Sequence, residues 1–339
     1  MNSPKQRAKR LQAHNQETYT VNNSILKRLM LAVIAALPLA AAQANEPIRL
    51  IVPFGPGSGT DLIARTLAKA VTEETGTPVI VDNKPGGEGF IGSRAAATAA
   101  PDGRTLLMAG SSTQVVNAHL FKKLPYDPVK DFVPVTPIAR TSMLLTVNAN
   151  LPAKNATELM QLAKAKPGVL SVGSGSATTR LVGQYFMQQA GIKMLDVPYK
   201  TPASAVTDLM GDQVNVVFID LPTVAGHLQN GKLRALAVTG RQRMQAQPNV
   251  PTLQEAGLKD FDITAWYGIW APAGTPSPIA AQLNATFSKA MASPSVKAFF
   301  TNASMETFGA MTPADFQKFQ ADETAKIGRI VKAAGIEAQ

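Results

Sequence analysis

Cysteine is absent from the 339 residues, which excludes a disulfide framework, a thiolate nucleophile or metal ligand, and a lipid anchor attached after an export signal. Histidine is scarce: beyond residue 44 only His119 and His227 occur, in unrelated contexts and without a paired carboxylate motif. Neither a metal site nor a histidine general base is therefore expected. Ser112, Ser174 and Ser176 lie in no Gly-x-Ser-x-Gly elbow, so the chain reads as a non-enzyme. Aromatic residues make up 6% and no basic run follows residue 44, a poor match to nucleic-acid binding. Long apolar runs are also lacking after residue 44, so membrane passage itself falls to other chains.

The formal charge of +10 is unevenly placed. Lys5, Arg7, Lys9, Arg10, Lys27 and Arg28 precede residue 45 with one acid, Glu17, and without that segment 27 basic residues face 22 acidic ones, a net of +5. Lys27-Arg28, the apolar run from Leu29 to Ala42 and Ala42-Gln43-Ala44 follow the order of an export signal cleaved after Ala44. Residues 1–20 are polar and form an over-long leader, and a start near Val21 would give a signal of ordinary length. The periplasm is the expected compartment.

From Ile48 onward, short β-branched runs alternate with longer amphipathic segments, the pattern of α/β sheets flanked by helices. A first βαβαβ set spans Ile48 to Ala109. A Pro-rich connection (Pro125, Pro128, Pro134, Pro137) leads to a second alternating set between Met143 and Val238. The apolar stretch Thr264–Pro272, with both tryptophans, precedes closing helices. About 290 residues exceed most single cores, so the expected organisation is a signal at 1–44, one lobe from 45–145 and 265–339, and a second from 146–264. The lobes are joined by hinge crossings near Met143–Val147 and Thr264–Ala271.

Glycine and hydroxyl residues collect at strand-to-helix junctions in both sets, where open α/β sheets place their ligands. In Pro53-Phe54-Gly55-Pro56-Gly57-Ser58-Gly59-Thr60-Asp61, the cap of the next helix falls to Thr60 or Asp61. The loop offers backbone N–H groups and a helix dipole to an anion. It lacks the Gly-Lys-Ser/Thr of a nucleotide loop, and Thr60 stands where a dinucleotide fingerprint needs its third glycine. Gly87, Glu88 and Gly89 end the second strand; Ser111, Ser112 and Gln114 end the third; Ser174, Ser176, Ala177, Thr178, Thr179 and Arg180 repeat the design in the second set. Phe54 and Tyr199 are candidate cleft walls or core residues. Asp220 either orients its loop or meets a ligand amine or hydroxyl.

Longer motifs point further. Val52-Pro53-Phe54 with Asp61-Leu62-Ile63-Ala64-Arg65, Asn83-Lys84-Pro85-Gly86, Pro101-Asp102-Gly103-Arg104-Thr105-Leu106-Leu107 and Leu124-Pro125-Tyr126-Asp127-Pro128 come in order. Val197-Pro198-Tyr199-Lys200, Gly231-Lys232-Leu233-Arg234-Ala235-Leu236-Ala237-Val238, Pro251-Thr252-Leu253-Gln254-Glu255-Ala256-Gly257 and Ala271-Pro272-Ala273-Gly274-Thr275-Pro276 follow. Together they resemble the Bug receptors, the substrate-binding proteins of tripartite tricarboxylate transporters, from about Ile48 to Ile336. The resemblance implies a two-lobed periplasmic binding protein of the Venus flytrap, type II-like, kind, a mixed sheet in each lobe, and a small organic carboxylate held by the loops named above. It further implies a monomer without cofactor, docking on integral membrane permease subunits; presentation of the ligand to a sensor kinase's outer domain is the rival outlet.

Three positions depart from the family pattern: Ser58 and Glu88 stand where glycines are usual, and Arg180 where histidine is common. Ser58 can add a hydroxyl contact. Arg180 either grips a distal group of the ligand in two-pronged fashion, or stays solvated or paired with Glu88 across the cleft.

Overall fold

Strand β1 (Ile48–Val52) is buried at four of its five positions, as befits a strand covered on both faces. A computed structural model describes residues 46–339; the export signal expected over residues 1–44, and its cleavage point, lie outside them. Helix α1 (Gly59–Thr75) follows and stops at Gly76, whose left-handed backbone (φ +70°) suits glycine. Then come β2 (Val79–Asn83), α2 (Phe90–Ala97) and β3 (Thr105–Gly110). β1 runs parallel to β2 and β3. A π-helical turn (Ser112–Val116) leads into the single turn α3 (Asn117–Leu120).

The next element corrects the sequence reading. The second half of the Pro-rich connection, with Pro134 and Pro137, is β4 (Phe132–Ser142), while Pro125 and Pro128 lie in the loop before it. Prolines cannot donate to a ladder and are tolerated at edges and bulges. Pro137 and Pro134 adjoin the two register slips in the ladder with the later strand, and the outer neighbour reaches only Ala139 and Arg140.

β5 (Leu144–Asn148), α4 (Ala156–Ala165), β6 (Ser171–Ser174), α5 (Ala177–Ala190), β7 (Leu195–Pro198), α6 (Pro202–Met210), β8 (Val216–Ile219), α7 (Leu221–Gln229) and β9 (Leu233–Val238) form the second set. Their sheet has the order β7-β6-β8-β5-β9, with β6 parallel to β7 and β8, and β5 antiparallel to β8 and β9. Leu144 and Leu145, assigned by sequence to the first lobe, pair with Ile219 and Phe218 in this second sheet.

β10 (Thr264–Pro272), α8 (Ser277–Met291), α9 (Pro294–Asn302), β11 (Glu306–Thr307) and α10 (Pro313–Ala333) return to the first sheet, whose order is β11-β4-β10-β3-β1-β2. β10 is antiparallel to β3 and β4. Its period-two alternation turns Trp266 and Trp270 to one face, where both pack on Phe316 of α10 at centroid distances of 6.0 and 4.9 Å. The buried indole N–H of Trp270 donates to Gln320 Oε1 at 3.1 Å, as an amphipathic ring requires.

Two mixed sheets flanked by helices thus form two lobes. Met143 alone links β4 to β5, and residues 239–263 link β9 back to β10. The two links are tied: Met143 N–H donates to Thr239 Oγ1 at 2.9 Å, and Thr239 N–H donates to the Met143 carbonyl at 2.9 Å.

Candidate ligand-binding site

Both sheets aim the carboxyl ends of their parallel strands at a cavity between the lobes, of about 50 Å³. From the first lobe Phe54, Ser58, Gly59 and Thr60 line it, with Gly110, Ser111, Ser112 and the start of β10 (Ala265, Trp266, Tyr267). From the second come Ser176, Thr178, Thr179, Pro202, Ile219 and Asp220, with Met143 at the hinge.

Two helix starts bound this space. Ser58 caps α1, accepting the Asp61 N–H on its hydroxyl at 3.3 Å, and thereby displaces Thr60 and Asp61 from the role that the sequence offered them. Ser176 caps α5 in a reciprocal box with Thr179. In each case the next two N–H groups, of Gly59 and Thr60 and of Ala177 and Thr178, make no hydrogen bond among the described residues. The first N–H groups of a helix have no intrahelical partner, so these four are donors available to an anion. The Ser112 hydroxyl, on a residue 7% exposed, is buried and unpartnered in the cavity wall. Ser111 Oγ and Thr178 Oγ1 meet across the lobes at 3.2 Å.

Asp61 is turned away from the cavity and braces the first loop. Its carboxylate accepts from Gly57 N–H at 2.9 Å, Arg65 Nε at 3.0 Å and Asn83 Nδ2 at 2.9 Å. Burial acts to raise its pKa, but the bonds from Arg65, Gly57 and Asn83, with the Arg65 charge, outweigh it and hold the carboxyl below its usual 3.8. Asp61→Ala should lower stability to urea by about 1–3 kcal/mol, the usual worth of hydrogen bonds to a buried charged group. Because the folded pKa is depressed, the stabilisation is complete above 3.8 and fades as pH falls through the folded value. Wild type and Asp61→Ala should therefore converge in acid, and a gap independent of pH would refute the brace.

Asp220 caps α7: its Oδ1 accepts from Thr223 N–H at 3.2 Å and Thr223 Oγ1 at 2.5 Å, and its Oδ2 accepts from Tyr267 O–H of the other lobe at 3.0 Å. It is half-buried, and lines the cavity. Surrounding protein pushes its pKa up against the lowering effect of those bonds, and burial beside Asp220 pushes the Tyr267 hydroxyl well above 10.

The remaining expected residues lie outside the cavity wall. Arg180, 8% exposed, pairs with Glu88 across the lobes at 2.7 Å and approaches Asp196 at 3.7 Å; of the readings left open by sequence, the structure takes the Glu88 pairing. Burial raises the Glu88 pKa, Arg180 pulls it back in part, and Asp196 adds to the rise. Glu88 sits at φ +56°, and Gly57, Gly87 and Gly89 are also in the left-handed region. Ser174 donates to Asp196 at 3.0 Å. Tyr199 donates to Asp208 at 2.8 Å, its hydroxyl pushed up to about 12 by burial and that carboxylate. Gln114 is buried with its amide unpartnered, and Ala177 contributes backbone only.

Sequence reasoning missed Met143, Ala265, Trp266 and Tyr267. The structure brings them to the cavity because β5 and β10 run antiparallel to their neighbours, so their first residues lie beside the carboxyl ends of β8 and β3, as the pairs Leu144–Ile219 and Tyr267–Gly110 show. A larger recess of about 580 Å³ opens behind the hinge. Its cations are each paired, Arg140 with Glu306, Arg241 with Asp262, Arg243 with Glu255 and Lys326 with Glu323.

The family model of the tripartite tricarboxylate transporter family receptor matches residues 63–336. The chain belongs to that receptor family. Among relatives of this receptor, protein BugT of Bordetella pertussis (strain Tohama I) is 34% identical over 307 residues, covering 90% of this chain and 94% of BugT. The periplasmic binding protein BugD is similar in structure, with TM-score 0.83 and 29% identity over 86% of this chain and 99% of BugD. So is an R. palustris protein solved with adipate, at TM-score 0.83 and 31% identity, covering 86% and 98%. The receptor therefore has the two-lobed periplasmic binding protein fold, in a family of solute receptors rather than enzymes.

Proposed function

We propose that this receptor, exported to the periplasm with its signal removed after Ala44, binds a small organic carboxylate between its lobes and delivers it to the integral subunits of a membrane transporter. The convergence of two helix starts from opposite lobes, each with unpartnered N–H groups, on one inter-lobe cavity is the observation that carries the reading. A carboxylate at the start of α5 taking three charge-assisted hydrogen bonds, from the N–H groups of Ala177 and Thr178 and the Ser112 hydroxyl, at ~1.5–3 kcal/mol each gains roughly 4.5–9 kcal/mol. Micromolar affinity needs about 8 kcal/mol and association and lobe closure cost several more, so the rest of the ligand must add contacts of its own. The adipate held by the R. palustris relative supports the same ligand class.

A thermal-shift screen of organic acids tests the binding. An acid at 100 times its dissociation constant should stabilise the processed protein by about 2.7 kcal/mol. If no acid shifts the melting temperature, while amines or sugars do, the carboxylate reading falls. Delivery is tested separately, since deletion of the gene should abolish uptake of the labelled acid. Undiminished uptake, with loss of a transcriptional response instead, would favour presentation to a sensor kinase.

A further inference from the structure

Each helix start can balance roughly half an elementary charge, and one of the two at the cavity already faces an anion of the protein. A side chain built at Gly59, the first residue of α1, would lie 2.6 Å from Asp220 Cγ and nearer still to Oδ2, so the Asp220 carboxylate is pressed against that helix start. Thr223 and the Tyr267 hydroxyl hold it there. The start of α5 has no such partner: the N–H groups of Ala177 and Thr178 are open, and the buried hydroxyl of Ser112 in the cavity wall is unpartnered. No lysine or arginine lines the cavity among the described residues, and Arg180 is bound to Glu88. The cavity thus has one vacant place for negative charge.

We infer that the site takes a short monocarboxylic acid, its carboxylate at the start of α5 and its apolar body against Phe54, Met143, Ile219 and Trp266, and that Asp220 rejects the second charge of a dicarboxylate. This rests on the carboxylate-receptor reading above and fixes the charge and size that it leaves open. Size follows from volume: at on the order of 10–15 Å³ per water, a cavity of about 50 Å³ admits an acid of about three to five non-hydrogen atoms when the lobes are closed. Charge follows from proximity, since a second carboxylate in so small a space stands within a few ångströms of Asp220, where like charges repel strongly.

Calorimetry with matched acids of equal chain length tests this: acetate against oxalate and propionate against malonate. Each short monoacid should bind about 30-fold or more tightly than its diacid. In Asp220→Asn, which keeps a good helix cap, that preference should shrink to a few fold, chiefly through tighter diacid binding. A diacid that matches or beats its monoacid in the unaltered protein overturns the inference and leaves the carboxylate reading standing. Absence of binding by either series overturns both. A preference unchanged in Asp220→Asn removes Asp220 as its source.

Discussion

Gly59→Ala is expected to leave both lobes folded and yet weaken ligand binding by about 100-fold or more, because ligand is held only by the closed form and apparent affinity scales with the closed fraction. Position 59 is the first residue of α1 and its φ lies outside the left-handed region, so a side chain there suits the helix. What it cannot suit is closure. The new Cβ would stand 2.6 Å from Asp220 Cγ, and Asp220 is tied by its bonds to Thr223 as the cap of α7. The two groups belong to opposite lobes, so the conflict vanishes when the lobes part. Calorimetry with the tightest acid of the matched series, beside small-angle scattering, should give lost affinity with a larger radius of gyration and an almost unchanged melting temperature. Wild-type affinity in Gly59→Ala would mean that the ligand is held without this approach of α1 to Asp220.

How much of this was readable from the chain depends on the range of the interaction. Alternating runs fixed most strands and helices within a few residues, because local periodicity and flanking glycines decide them. The cavity loops were readable for the same reason: Ser58, Ser111, Ser112, Ser176 and Thr178 sit at junctions where helix starts expose N–H groups. Which residue caps α1 was not, since Ser58, Thr60 and Asp61 are all competent caps and the turn at Gly57 selects among them. β4 was hidden by Pro134 and Pro137, whose tolerance depends on bulges in a ladder with β10, more than a hundred residues away. Tyr267 and Met143 were hidden likewise, since an antiparallel strand brings its beginning to the site only after the sheet is assembled. The pairing of Glu88 with Arg180 is the extreme case, because it exists only with the two lobes together.

That pair supports the other large effect. Arg180→Ala should weaken ligand binding by about 100-fold or more, because removing one partner of a buried ion pair destabilises the form that buries the other by about 3–5 kcal/mol. Glu88 would be left enclosed, with one carboxylate oxygen already lacking a partner and the like charge of Asp196 nearby. The pair itself is a different matter, since desolvation can offset most of the attraction between two buried ions. Arg180→Met with Glu88→Gly removes both charges together and also relieves the φ of +56° at position 88. The double variant should therefore bind within a few fold of wild type. Acidity gives a second readout. Burial holds the Glu88 pKa above its usual 4.5 in this closed form, so the penalty of an ionised Glu88 is complete above that pKa and relieved as pH falls through it. Without Arg180 that relief should be larger, and the single variant should regain affinity in mild acid while the double variant shows no such recovery. If Arg180→Ala binds as wild type at neutral pH, the lobes close without the pair, and Arg180 and Glu88 are neighbours of the site rather than part of its closure.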